Sequence, residues 1–118
     1  MEKGVQPQRG QIYMLDFGEI KGRELAGEHP ALVVQNDIGN KYAPVTIVIA
    51  VHSDYGKQEL PVCVKVKSGI GGLRKDSIMD AGQILTIDKK RLGRLVGTLP
   101  YNVMMQVDEA LKKSLQLK

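Results

Sequence analysis

The chain has 118 residues, of which 42% are hydrophobic and 25% charged, and its net charge is +4. That length suits one domain spanning 1–118, and the composition excludes a disordered or low-complexity chain. A single cysteine, Cys63, excludes an internal disulfide framework and a cysteine-based zinc site. There is no signal-like N-terminus and no apolar run of about 18 residues, so neither export nor membrane insertion is expected, and a reducing cytoplasm is the expected location.

With no Trp and one Phe, the core must come from Val, Ile and Leu, which favour strands. Residues 1–8 read as a loose end. Residues 10–17, Gly-Gln-Ile-Tyr-Met-Leu-Asp-Phe, predict a first strand, and a connection rich in Gly and charge follows over 18–28. Residues 30–35 form a short continuous apolar run typical of a buried strand, and 36–40 form a turn cluster. Over 45–52 the residues alternate between two faces. Val45, Ile47, Ile49 and Val51 make a bulky face that must be core. Thr46, Val48, Ala50 and His52 make the other, so His52 is expected to stand exposed beside small side chains.

Residues 54–59 predict a turn. Residues 60–67 predict a strand with Leu60, Val62, Val64 and Val66 inward, and 68–72, with three glycines, predict a loop. Residues 77–87 predict a strand pair or one bent strand, because Gly82 interrupts the run. Asp88 can cap a helical turn over 88–91, and 92–99 predict a last strand. A helix is expected over 102–117, capped by Asn102, with a stripe of Val103, Val107, Leu111 and Leu115 and with Asp108-Glu109 pairing Lys112-Lys113. Short strands, Gly-rich turns and one terminal helix predict a mainly β chain: a small, strongly bent antiparallel barrel or half-barrel with a helix packed on it.

The chemistry-bearing residues are few. The chain has only two histidines, His29 in Gly27-Glu28-His29-Pro30 and His52 at the end of an apolar strand. Imidazole, with an unperturbed pKa of about 6.5, can give or take a proton near neutrality. On pattern alone the better reading is two surface polar residues; the sharper one is a metal-free acid–base pair on converging strand ends. The mild basic excess is compatible with a phosphate-rich partner.

Several segments stand in order along the chain: Arg9-Gly10-Gln11-Ile12-Tyr13, Gly22-x-Glu24, Pro30-Ala31-Leu32-Val33-Val34-Gln35-Asn36-Asp37 and Gly39-Asn40-Lys41-Tyr42-x-Pro44. Asp76-Ser77-Ile78, Gln83-Ile84-x-Thr86-Ile87-Asp88-Lys89-x-Arg91-Leu92 and Val107-Asp108-Glu109-Ala110-Leu111 complete the set. Together they resemble the MazF/PemK-type toxins, endoribonucleases of bacterial toxin–antitoxin pairs. The resemblance covers residues 9–117. It implies an SH3-like barrel with a C-terminal helix and a homodimer. It also implies metal-independent, sequence-selective cleavage of single-stranded RNA, and an acidic antitoxin protein that covers the RNA groove. DNA is expected only indirectly, through the antitoxin, and no cofactor is expected.

The departures from the family pattern fall on its chemistry. His29 stands where the family usually has Arg, His52 where it has Thr, Gly82 where an acidic residue often precedes Gln83, and Leu85 where it has Arg; Glu24 and Gln83 match. Two imidazoles can divide the acid and base roles. The expected catalytic residues are therefore His29 and His52, with Glu24, Arg23, Lys21, Ser53 and Gln83 as substrate contacts. The alternative is an altered or inactive protein of the same fold that binds antitoxin or RNA without cutting. A gyrase-binding toxin of the related CcdB type is more distant. Because both of the chain's only histidines fall at these places, retooling is preferred to loss.

Overall fold

A computed structural model describes residues 6–18, 27–53 and 61–118. The expected turn over 54–59, Leu60, most of the connection over 18–28 and the first five residues of the loose end lie outside the described residues. The elements are β1 (Gln11–Asp16), β2 (Glu28–Val33), α1 (Asp37–Tyr42), β3 (Val45–His52), β4 (Cys63–Val66), β5 (Ser77–Asp88), β6 (Leu92–Thr98) and α2 (Tyr101–Leu115). Two 3₁₀ turns, Ile70–Gly72 and Lys89–Arg91, join β4 to β5 and β5 to β6. All pairings are antiparallel, in the order β4-β5-β3-β2-β1-β6. The expected barrel is thus an open, curled sheet whose edges are β4 and β6.

The sheet is apolar on both faces, which explains why alternation in β3 misleads. Cross-strand partners share a face. Ile12, Leu32 and Ile49 are successive partners, and they belong to one core with Val51, Met79 and the helix residues Val103, Met104, Val107 and Ala110. Tyr13, Ala31 and Ala50 are partners on the opposite face, where Leu15, Val33, Val48, Ile87 and Leu92 form a second core. Thr46, Val48 and Ala50, expected on an open face, are all buried.

The strand expected to bend at Gly82 does so by a bulge. Between Ile49 and Ala50 the partner on β5 jumps from Ile84 to Asp80, so Ala81, Gly82 and Gln83 have no opposite number on β3. Such an insertion bends the strand and increases its twist. It lets one 12-residue strand pair with β3 along its length and still carry β4 on its first half.

The gap between the two edges is spanned by the 3₁₀ turn Ile70–Gly72, which packs on β6. Gly72 has φ +79°, and a Cβ there would collide with the Val96 carbonyl oxygen. A Cβ on Gly97 would collide in the same way with the Gly71 carbonyl oxygen. Only glycine permits this backbone-on-backbone approach, and it sets the loop residues Arg74 and Lys75 near β6.

Three expectations need correction. The turn cluster over 36–40 is the start of α1: the Asn36 carboxamide accepts the Gly39 amide at 2.8 Å and so supplies an N-cap. Asn40 is buried there, its carboxamide bonded to Gln35 and Thr46. The C-terminal helix starts at Tyr101 after Pro100, not at an Asn102 cap, and no side chain caps it; proline fixes φ where the helix needs no donor. The buried face of that helix is Val103, Met104, Val107 and Ala110, while Leu115 is 53% exposed. A straight spacing of four drifts off the 3.6-residue period.

Burying Val107 completely contributes about 1.5–3 kcal/mol. Glu109 pairs with Lys112 at 3.2 Å, but Asp108 turns to Arg9 at 2.6 Å. Arg9 also donates to the Val34 carbonyl, tying the start of β1 to both β2 and α2. Among the described residues no helix is long and apolar enough to cross a membrane.

Candidate active site

The register of β2 on β3 brings the two histidines to one place. Ala31 pairs with Ala50 at the end of that ladder. Carried two residues further, the same register sets His29 across from His52. Both line a cleft of about 370 Å³ at this end of the sheet, with Ser53, Arg74, Lys75 and Arg94. Glu28 is also at its wall. No carboxylate among the described residues pairs with Arg74, Lys75 or Arg94, and all three are exposed. The cleft is therefore cationic and concave, and both histidines are among its lining residues.

The histidines differ in surroundings. His29 is half-buried, with the Phe17 ring edge-on to it at 6.2 Å and 65° between the planes. Its ring nitrogens have no described hydrogen-bond partner. His52 is not the exposed strand end that alternation predicted: its side chain is 13% exposed and its Nε2 lies 3.4 Å from Asp80 Oδ2. The small residue beside it, Ala50, faces Asp80 across the strands, and that carboxylate stands against the ring.

Asp80 is the centre of a compact polar group. Gln83 Nε2 donates to Oδ2 at 2.8 Å, the Gly82 amide to Oδ1 at 2.8 Å, and the Cys63 thiol lies 3.7 Å from Oδ1. Burial alone pushes this carboxyl up, but the donors from Gln83, Gly82 and His52, with the His52 charge, outweigh it and hold Asp80 below the ordinary carboxylate value. The Cys63 thiol moves the other way: burial, then the Asp80 charge and hydrogen bond, push it to about 11.

The expected substrate contacts divide accordingly. Ser53 is exposed on the cleft wall. Gln83 is turned toward Asp80 and is not on that wall. Lys21, Arg23 and Glu24 lie outside the described residues. Asp80, Arg74, Lys75 and Arg94 were not anticipated. Asp80 did leave a signal, a charge inside the apolar run Ile78-Met79-Asp80-Ala81, and the basic pair Arg74-Lys75 directly follows the glycine loop. Lys89 and Arg91, in the turn after Asp88, donate to the carbonyls of Asn40 and Asp16. Among the described residues no group of three or more His, Cys, Asp or Glu side chains is placed to hold a metal ion.

Residues 8–115 match the family model described as PemK-like, MazF-like toxin of type II toxin–antitoxin system. The chain is 41% identical over 109 residues to Endoribonuclease EndoA of Bacillus subtilis, covering 92% of this chain and 94% of that protein. It is 39% identical over 109 residues to Endoribonuclease MazF of Staphylococcus epidermidis, covering 92% and 91%. Among solved structures it is similar to a mycobacterial endoribonuclease in complex with its cognate antitoxin, with a TM-score of 0.80, 25% identity, and 95% and 97% of the two chains covered. MazF of Deinococcus radiodurans shares the fold, with a TM-score of 0.78 at 22% identity over 96% and 99% of the chains.

Proposed function

Because the chain belongs to the PemK/MazF family of type II toxin–antitoxin toxins, we propose that it is an endoribonuclease that cuts single-stranded RNA at a selected sequence without a metal, using His29 and His52 as its acid–base pair. The observation that carries this reading is the convergence of both histidines on one cleft with three cations that no carboxylate among the described residues pairs. One imidazole takes the proton of a 2′-hydroxyl, and that oxygen attacks the adjacent phosphorus. The bond from phosphorus to the 5′-oxygen breaks, and the other imidazole, protonated, gives its proton to the departing oxygen. The products are a 2′,3′-cyclic phosphate and a 5′-hydroxyl. Arg74, Lys75 and Arg94 offset the negative charge of the phosphoryl oxygens and neighbouring phosphates. Ser53 supplies a hydroxyl contact, and Lys21, Arg23 and Glu24 complete the substrate contacts.

The partners follow from the same cleft and from the helix. A disordered acidic antitoxin segment folds onto the cationic cleft and competes with RNA, at a cost in ordering free energy. Two copies of the chain associate through the apolar flank of α2, where Tyr101, Met105, Leu115 and Leu117 are 51–80% exposed beside a groove of about 740 Å³.

The test is substitution. His29→Ala and His52→Ala should each slow cleavage by about 10²-fold or more. The double variant should be little worse than the poorer single, since groups acting as a unit are non-additive. The wild-type rate should be bell-shaped in pH, one limb from loss of the base and one from loss of the acid. Wild-type rates in both single variants would overturn the reading. A wild type that binds antitoxin but cuts no RNA would replace it with the non-catalytic one.

A further inference from the structure

His52 has one described side-chain partner, and that partner is built rather than incidental. In the β5 bulge of Ala81, Gly82 and Gln83, the Gly82 amide donates to Asp80 Oδ1 and the Gln83 carboxamide to Oδ2, each at 2.8 Å. One carboxylate oxygen is thereby fixed by the backbone. The other is shared between Gln83 and His52 Nε2. Asp80 is 16% exposed and His52 13% exposed, so little water competes for this contact. Two donors on the carboxylate favour its ionised form and hold its plane beside the ring.

We infer that Asp80 is a positioning residue for His52: its carboxylate accepts the Nε2 proton, fixes the ring plane, and leaves Nδ1 as the nitrogen that exchanges a proton with RNA in the cleft. The inference rests on the proposed role of His52 in cleavage. It assigns the β5 bulge a purpose, since two of its three residues, Gly82 and Gln83, supply the donors that hold Asp80. An orienting carboxylate keeps one tautomer and stabilises the imidazolium when it forms.

The competing role is structural: Asp80 only satisfies the bulge. The two roles separate in the ring itself. In the wild-type protein, nitrogen-15 spectra of the imidazoles should show neutral His52 as the Nε2–H tautomer; an Nδ1–H tautomer overturns the inference whatever the variants do. In Asp80→Asn, whose side-chain oxygen can still accept the Gly82 amide, the Nδ1–H tautomer should grow. The kcat for RNA should fall by roughly 10- to 100-fold, a part of what a positioned acid or base contributes, with KM little changed. Asp80→Glu should recover part of the rate. Asp80→Asn with wild-type kcat and wild-type tautomer, or with a lower melting temperature as its only change, overturns the inference. His52→Ala measured alongside keeps the two ideas apart. If it cuts at the wild-type rate, the reading of His52 as catalytic falls and the positioning role with it. If it is impaired while Asp80→Asn is not, only the positioning role falls.

Discussion

Arg74, Lys75 and Arg94 are exposed, unpaired among the described residues, and held on one cleft wall by the Gly72–Val96 and Gly97–Gly71 approaches. If each neutralises one phosphate of a bound single strand, each adds about −0.7 to the slope of log affinity against log salt. Three contacts then give a slope of roughly −2, a loss of roughly 20-fold in affinity between about 50 and 200 mM salt. The triple substitution Arg74→Gln, Lys75→Gln and Arg94→Gln should flatten the wild-type slope by roughly 2, and each single change by about 0.7. The affinity deficit of the triple variant should be greatest at low salt and shrink as salt rises, because ions screen the charges the variant lacks. The assay is fluorescence anisotropy of an oligonucleotide in which every 2′-hydroxyl is replaced by hydrogen, so that binding is read without cleavage. Circular dichroism checks that the sheet is intact. A triple variant with the wild-type slope and affinity would refute the assignment of this wall to phosphate.

Other groups make separate predictions. Asp80 is held below its ordinary value in the fold, so its contribution to stability is complete above about pH 4 and is lost as pH falls through its lower folded value. The melting temperature should fall below pH 4 more steeply in the wild type than in Asp80→Asn; parallel curves would contradict this. Cys63, pushed to about 11 from an ordinary 9.0, should react with iodoacetamide at pH 7.5 about 10-fold more slowly than a free thiol, because the greater nucleophilicity of a more basic thiolate offsets part of its smaller thiolate fraction. Labelling at the free-thiol rate would show that the thiol is not held by burial and Asp80. Light scattering at micromolar concentration should give the mass of two chains, and Leu115→Glu with Met105→Glu should shift it toward one; a wild-type mass of one chain would dispose of the dimer.

The parts of the fold legible in the sequence were those set by local pattern. Gln11–Asp16, Cys63–Val66 and Leu92–Thr98 follow from short apolar or alternating runs between turn residues, and Asp88 does cap its 3₁₀ turn through Lys90. What pattern could not give was which face is open. The alternation in Val45–His52 implies one wet face, but the curled sheet buries both. The site was legible only as two histidines. Their convergence depends on the register of Ala31 on Ala50. The place of Asp80 beside His52 depends on a three-residue bulge, a long-range feature that Gly82 marks but does not specify. Arg94 and the pair Arg74–Lys75 are about 20 positions apart in the chain and meet only because two glycines let backbone touch backbone.

The most direct test of the central claim is to incubate the purified protein with a long single-stranded RNA in excess EDTA and identify both ends at every cut. Cleavage should recur at one short sequence and leave 2′,3′-cyclic phosphate and 5′-hydroxyl ends. Cleavage abolished by EDTA and restored by a divalent cation, or ends bearing a 5′-phosphate, would contradict it.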